Sequence, residues 1–331
     1  MSSYGERSPP FDEDEMDFAS AYSLASTSNE YMIEHGRHFF SRDSSSPFPR
    51  GDQVAKENEI ALHNLMFHLY DNRLYEAPIQ QPRNVLEVRC GTQGLWAKSM
   101  ADVFPDAQVT GMDVATPDTE GRENLQFVEQ SHNDQWILDD KLQQFGKFDF
   151  LYARHLFASS RDYPDFYKQC LEHLEPGGYF EQCEMIPFCR CDDDTFREGS
   201  IVRGLCDLIP AMERGYQTQY DLASRMEQLI QEAGFVDIQR RIDKVPWSPW
   251  PPPETKEHRS GELFERFYQT GIQGWTIQPL VRHLQVREAI LEKLAQHTDM
   301  TAKFDQETVN NMVSAAIIEL NKNEIHWWSP S

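Results

Sequence analysis

Short runs of apolar residues alternate with amphipathic stretches along the middle of the chain. Five runs have the length and bounding turn residues of buried strands. They lie at Asn84–Val88, Gln108–Asp113, Leu125–Glu129, Phe148–Ala153 and Tyr179–Glu184. Apolar spacing predicts one helix from Val54 to Tyr70 and another from Tyr163 to Leu174, which is stopped by Pro176-Gly177-Gly178. Alternating strands and helices predict a mainly parallel α/β sheet with helices on both faces.

The pattern continues beyond the fifth strand. Two further strands, predicted at Phe235–Val245 and Glu324–Trp328, bring the sheet to seven. Apolar residues at helical spacing between them predict a helical cap inserted at about 254–322, before the last strand. Residues 1–30 are acidic and serine-rich without apolar periodicity, so we expect a disordered tail. Residues 31–328 are predicted to form one domain.

Composition and net charge indicate whether the chain is expected to bind nucleic acid or a metal, and whether it is expected to cross a membrane. The formal net charge of -23 repels phosphates, so we expect no direct binding of nucleic acid. The six cysteines form no CxxC pair, which predicts reduced structural thiols and no metal site. Neither a signal-peptide apolar region nor a long apolar run is present, so we expect an intracellular protein without a transmembrane segment.

The first strand, turn and helix carry candidate nucleotide-binding chemistry. Glu87 lies near the end of the first strand, Gly91 and Gly94 lie in the turn, and Asp113 ends the second strand. Glycines let a ligand approach the backbone, and the following helix offers unpaired N–H groups. A carboxylate after the second strand can accept both ribose hydroxyl protons. One residue departs from this pattern, because Arg89 stands where the tightest glycine is expected.

Four short motifs add to these features. They are residues 34–37 (EHGR), 148–156 (FDFLYARHL), 174–182 (LEPGGYFEQ) and 190–194 (RCDDD). Together they resemble the LaeA-like methyltransferases of filamentous fungi, over about Tyr31 to Trp328. The resemblance implies a Rossmann-like, seven-stranded class I methyltransferase sheet with S-adenosyl-L-methionine as the cofactor, bound at the carboxyl ends of strands 1, 2 and 4.

The resemblance also implies roles for single residues. Glu87 would orient the methionine part of the donor, and Gly91 and Gly94 would make room for it. Asp113 would hold the ribose hydroxyls. Arg37 would face the donor carboxylate as a charge-assisted partner, although a helix-capping or surface role fits this arginine equally well.

The other implied contacts concern the adenine and the methyl acceptor. The family pattern has an acid after the third strand, where this chain offers Gln130 or Asn133 as a weaker acceptor for the adenine amine. Arg154 and His155 follow the fourth strand and would border the acceptor pocket. His155 is a candidate general base there, with a structural histidine as the alternative. The catalytic residue is otherwise unknown.

Three hypotheses about function remain open at this point. The family consists of regulators of secondary metabolism and development, often in complexes with velvet-type or other proteins, which implies such partners and a location in nucleus and cytoplasm. The first hypothesis is therefore an active methyltransferase of this regulatory kind. The second is a degenerate methyltransferase fold that serves as a binding or scaffold subunit, because Arg89 and Gln93 disrupt the glycine loop. The third is a nicotinamide enzyme, because residues 89–94 form a GxGxxG motif without its first glycine.

Overall fold

The computed structural model describes residues 31–34, 36–40, 48–136, 147–185, 190–195, 200–206, 222–272, 274, 311, 314–319, 321–322 and 325–330. The strands within these ranges are β1 (Tyr31–Glu34), β2 (Arg37–Phe40), β3 (Asn84–Val88), β4 (Gln108–Asp113), β5 (Leu125–Glu129), β6 (Phe148–Arg154), β7 (Leu174–Cys183), β8 (Arg190–Cys191), β9 (Lys244–Pro246) and β10 (Trp327–Pro330). The helices are α1 (Gln53–Leu69), α2 (Leu95–Val103), α3 (Tyr163–His173), α4 (Ile201–Cys206), α5 (Leu222–Glu232) and α6 (Lys256–Ile272).

A parallel five-stranded sheet in the order β5-β4-β3-β6-β7 forms the centre of the molecule. The predicted bounds of β3, β4 and β5 are confirmed. β7 begins earlier than predicted, at Leu174, because the chain passes from α3 directly into extended backbone. The proline and glycines then fall at an irregularity in the register between β6 and β7.

Helices cover both faces of this sheet, as predicted. Alternate residues of the strands point to opposite faces, so Val85 packs with α2 and Leu86 packs with α3 and α5. On the α2 face, the Trp96 ring stacks on the Tyr152 ring with 4.1 Å between centroids. This packing fixes the carboxyl ends of β3 and β6, from which the candidate site residues extend.

The prediction of seven strands in one sheet is wrong for the described residues. β9 and β10 pair antiparallel, and together with β8 they form a separate three-stranded sheet. The predicted strand Phe235–Val245 reaches extended pairing only at its end. Val236 and Ile242 are 80% and 58% exposed, so this stretch lacks the buried face that stabilises a strand. The last strand lies slightly later than predicted, at Trp327–Pro330.

The first helix of the predicted cap, α6, is described, and it lies against α1. Asn58 of α1 donates hydrogen bonds from Nδ2 to the Phe267 carbonyl (2.6 Å) and to Thr270 Oγ1 (2.9 Å) of α6. Residues 314–319 are also helical. Most of the remaining cap and the tail predicted at 1–30 lie outside the described residues. Within the described part, no helix is long and apolar enough to cross a membrane.

Candidate donor-binding site

A cavity of about 110 Å³ lies at the carboxyl ends of β3 and β6, between the sheet and the helices α1 and α6. Its walls come from distant parts of the chain. The hairpin and the segment before α1 contribute Arg37 and residues 48–50, and α1 contributes Asn58 and Glu59. The turn after β3, the loop after β6 and the end of α6 supply the remaining walls.

The turn after β3 is tight even though a glycine is missing. Arg89 adopts a left-handed backbone conformation (φ 60°), and Gly91 does the same (φ 80°). The Arg89 guanidinium donates from Nη1 to the His155 carbonyl at 2.7 Å, which links the end of β3 to the loop after β6. Arginine therefore takes the conformation expected of glycine and directs its side chain toward the neighbouring loop.

Asp113 lies where the pattern predicts, at the end of β4, and its carboxylate is fixed by the backbone. Oδ2 accepts from the Gly91 N–H at 2.8 Å and Oδ1 accepts from the Val114 N–H at 2.7 Å. Oδ2 also accepts from Arg50 Nη2 at 2.5 Å. Burial acts to raise the pKa of Asp113, but the Arg50 guanidinium, together with the Arg89 charge and the Gly91 N–H, holds that pKa below its usual range.

Glu87 lies in the interior, outside the cavity lining, and connects two elements. Its Oε2 accepts from the Ala97 N–H of α2 at 3.0 Å, and its Oε1 is 3.6 Å from Arg154 Nε. Burial raises the pKa of Glu87 to about 8, against the opposing effect of the Arg154 charge. Arg154 does line the cavity, and its Nη1 is 3.2 Å from His63 Nδ1. Glu87 thus positions Arg154 and the start of α2.

Arg37 lines the cavity with part of its guanidinium unsatisfied. Its Nε and Nη2 donate to the two Asp52 carboxylate oxygens at 2.7 and 3.0 Å. Asp52 also caps α1 by accepting from the Ala55 N–H at 2.9 Å, so α1 orients the arginine. The third nitrogen, Nη1, is buried without a hydrogen-bond partner among the described residues. A buried unpaired N–H favours an anionic or carbonyl ligand at this wall.

Glu59 of α1 is a cavity residue that the sequence did not single out. Its carboxylate accepts from the Thr92 N–H and hydroxyl at 3.0 Å each. A Cβ at Gly91 would lie 3.1 Å from this carboxylate, so the glycine allows the close approach. Burial raises the pKa of Glu59. Glu59 lies one helical turn before the buried His63. Polar residues near the apolar stripe of α1 are the sequence feature by which Glu59 could have been identified.

His155 lies on the loop after β6 among aromatic rings. Its ring centroid is 5.4 Å from that of Phe157 and 5.6 Å from that of Phe267. Nε2 is buried without a hydrogen-bond partner in the described part of the chain. Burial, helped by Arg89 and Arg154, lowers the pKa of His155 to about 3. The imidazole is therefore neutral and weakly basic, which favours hydrogen bonding over proton abstraction.

Four of the predicted donor contacts, Glu87, Gly94, Asp113 and Gln130, do not line the cavity. Gly94 caps α2 in a left-handed conformation, and a Cβ there would lie 2.5 Å from the Phe127 ring. Gln130 donates to the Gln135 carbonyl at 2.8 Å, and Asn133 donates to the Ser159 carbonyl at the same distance. The contacts predicted between the donor and these residues remain predictions.

The described ranges contain no group of side chains that could form a metal site. There, no three His, Cys, Asp or Glu side chains converge on a point that could hold an ion. Cys90, Cys170 and Cys183 are buried thiols, and Cys191 is partly exposed.

The chain is similar to known methyltransferases. A family model described as a methyltransferase domain matches residues 61–240, which is more than half of the chain. "Methyltransferase pytC" from Aspergillus terreus is 31% identical over 304 residues, covering 87% of this chain and 89% of that protein.

The names of two further relatives refer to regulation in one case and to a substrate in the other. "Secondary metabolism regulator LAE1" from Cochliobolus heterostrophus is 31% identical over 271 residues, covering 77% of this chain and 83% of that protein. "Protein-methionine methyltransferase laeA" from Emericella nidulans is 25% identical over 301 residues, covering 89% and 76%. These matches overturn the nicotinamide hypothesis. The chain belongs to the LaeA-like family of S-adenosylmethionine-dependent methyltransferases.

Proposed function

We propose that this methyltransferase binds its donor in the cavity between the sheet and α1, with Asp113 on the ribose hydroxyls and Arg37 on the donor carboxylate. The observation that carries the proposal is the carboxylate of Asp113, which two backbone N–H groups fix at the end of β4. The buried, unpaired Nη1 of Arg37 supports it, because this N–H suits an anionic group.

The charges around the cavity fit the donor. Glu59 lines the cavity as an acidic group, which suits a cationic sulfonium. Arg154 lies on the side of the loop after β6, where Glu87 supports it. Gly91 has no side chain, which allows the Glu59 carboxylate to lie close to the backbone of the turn after β3. These residues would hold the two ends of a zwitterionic molecule.

The sulfonium of the bound donor supplies an activated methyl group, so the protein residues need to orient the acceptor and exclude water. Phe48, Phe157 and Phe267 form an aromatic wall around His155 that can exclude water. The neutral His155 can orient an acceptor by a hydrogen bond at Nε2. Its lowered pKa makes it a poor acceptor of the proton that an oxygen or nitrogen nucleophile loses.

We further propose that the protein acts as a regulator of secondary metabolism and development, within a complex and in both nucleus and cytoplasm. The name of the relative from Cochliobolus heterostrophus supports the regulatory part. The net charge of -23 favours a basic or neutral protein partner, such as a velvet-type protein, over nucleic acid. Co-purification of tagged protein from separated nuclear and cytoplasmic fractions tests the proposal. Recovery of the protein alone from both fractions would contradict the role in a complex.

Replacing Asp113 tests the donor site. Asp113→Asn keeps the shape of the side chain but removes the charge and one ribose acceptor. We expect the dissociation constant for S-adenosylmethionine to rise at least about tenfold, because one charge-assisted hydrogen bond is worth ~1.5 kcal/mol or more. Isothermal titration calorimetry measures the change.

Asp102→Asn is the matched control, because Asp102 pairs with Arg122 at the surface, away from the cavity. It should leave donor binding unchanged. If the folded wild-type protein releases no heat with millimolar donor, the scaffold hypothesis replaces this one.

A further inference from the structure

Arg50 lies against the carboxylate that the donor ribose would use. Its Nη2 is 2.5 Å from Asp113 Oδ2, and the two side chains are 9% and 1% exposed. Arg50 precedes α1 by a few residues and lines the same cavity. Arg89, the guanidinium that the sequence placed beside the donor, donates instead to the His155 carbonyl. The cation that is hydrogen-bonded to Asp113 thus comes from the segment before α1.

Asp113 has too few free acceptor positions to hold both Arg50 and a ribose diol. Oδ2 already accepts from Arg50 and from the Gly91 N–H, and Oδ1 accepts from the Val114 N–H. A carboxylate offers about four lone-pair sites. A ribose that donates from both hydroxyls requires two of them, and it must also fit into the space that the guanidinium occupies.

The backbone that carries Arg50 is anchored, so the side chain is the part that can move. The Arg50 and Gly51 N–H groups both donate to the His38 carbonyl of β2 at 3.0 Å. Asp52, two residues later, caps α1 and pairs with Arg37. Glu59 lies on the same wall and is close enough for its carboxyl to be influenced by the Arg50 charge. Glu59 is therefore a second acidic group near the Arg50 guanidinium.

From this arrangement we infer that Arg50 determines donor affinity: it competes with the donor ribose for Asp113 and must turn away before the donor can bind. The inference rests on the proposed donor site. A guanidinium that must leave a buried carboxylate reduces the affinity of any ligand that replaces it. Removing the competing charge should therefore strengthen donor binding, which the loss of a merely structural residue would not do.

Arg50→Met tests the inference in the full-length chain, with S-adenosylmethionine and S-adenosylhomocysteine as titrants. We expect both dissociation constants to fall at least about tenfold, the factor that corresponds to ~1.4 kcal/mol. Arg37→Met is the matched substitution of another cavity arginine that is paired with an aspartate. It should act in the opposite direction and weaken binding. Arg122→Met, at an exposed ion pair, should have no effect.

Arg50→Gln provides a second neutral variant if Arg50→Met does not fold, and circular dichroism verifies the fold of each protein. Donor binding that tightens in either variant, including binding that appears only in the variant, supports the inference. If the wild type binds the donor and both Arg50→Met and Arg50→Gln bind it equally or more weakly, the inference about Arg50 is refuted. The proposed donor site is then unaffected. Absence of binding in the wild type and in every folded variant would overturn the proposed donor site, and this inference with it.

Discussion

At the scale of residues, the cavity is held by paired buried charges. In each pair an arginine and a carboxylate come from different elements, so each pair also joins two parts of the fold. Removing one partner leaves the other charge buried and unpaired, which costs more than the pair contributes. The two pairs are Arg37–Asp52 and Arg50–Asp113.

The left-handed backbone of Arg89 leads to a stability prediction. We expect Arg89→Gly to be more stable than Arg89→Ala by about 1 kcal/mol, because both lose the side chain but only glycine adopts this conformation without strain. Urea denaturation measures the two free energies of unfolding. The same pair of substitutions at Ser99, inside α2, should give the opposite order, because helices favour alanine. Equal stabilities at Arg89 would contradict the strained conformation.

The sequence identified some site residues and not others for a physical reason. Asp113 and the turn glycines stand at fixed places in a local strand–turn–helix pattern, so their positions could be predicted. Arg50 meets Asp113 across 63 residues of chain, and no local pattern encodes such a contact. The side-chain direction of Arg89 also depends on the loop after β6, which only the folded chain brings close.

At the scale of elements, buried strands were predictable and half-exposed ones were not. β3 and β4 are buried at every position after the first, because both faces of a central parallel strand are covered. The stretch before β9 has alternating apolar residues, yet Val236 and Ile242 point to solvent. The sequence predicted a strand there, but a strand also needs a partner and a packed face, and these come from tertiary structure.

The close packing of β5 against the start of α2 should require that Gly94 has no side chain. A Cβ at Gly94 would lie 2.5 Å from the Phe127 ring, so we expect Gly94→Ala to lower the free energy of unfolding by about 2–4 kcal/mol through strain and overpacking. Chemical denaturation measures this loss. Gly121→Ala is the control, because Gly121 has a similar φ of 77° and no atom within 4 Å of the new Cβ. It should show only the conformational cost, about 1–2 kcal/mol.

Phe127→Ala should reduce the penalty of Gly94→Ala in the double variant. An unchanged penalty would rule out the contact with the ring as its cause.

At the scale of the whole molecule, buried carboxyls should make stability fall as the pH rises. Burial raises the pKa of Glu184 to about 7 and that of Glu87 to about 8, above the value of about 4.3 for an unfolded chain. Between these values the folded state binds more protons than the unfolded state, so the free energy of unfolding decreases with pH. The buried His63 and His155, whose pKa values are lowered to about 3, oppose this trend below about pH 6.5, the pKa of an unfolded histidine. Urea denaturation at several pH values from about 6.5 to 8 therefore measures the slope, and Glu184→Gln should make it shallower.

Glu172→Gln, at an exposed ion pair with Lys168, should leave that slope unchanged. A wild-type stability that is constant or rises over this range would contradict the prediction. The lowered pKa values of Asp52 and Asp113 act in a separate, more acidic range, where stability is lost as the pH falls.

More than half of the residues that line the cavity lie outside the segment that the family model matches, before the middle of α1 or at and beyond the end of α6. The matched segment, residues 61–240, contains every strand of the parallel sheet. Arg37, Arg50 and Glu59 precede that segment, and Phe267 follows it. A protein shortened to residues 61–240 would keep the parallel sheet but lose the cavity residues that precede and follow this segment. We therefore expect that exchanging these flanking segments between relatives would change which ligand is bound and leave the parallel sheet unchanged.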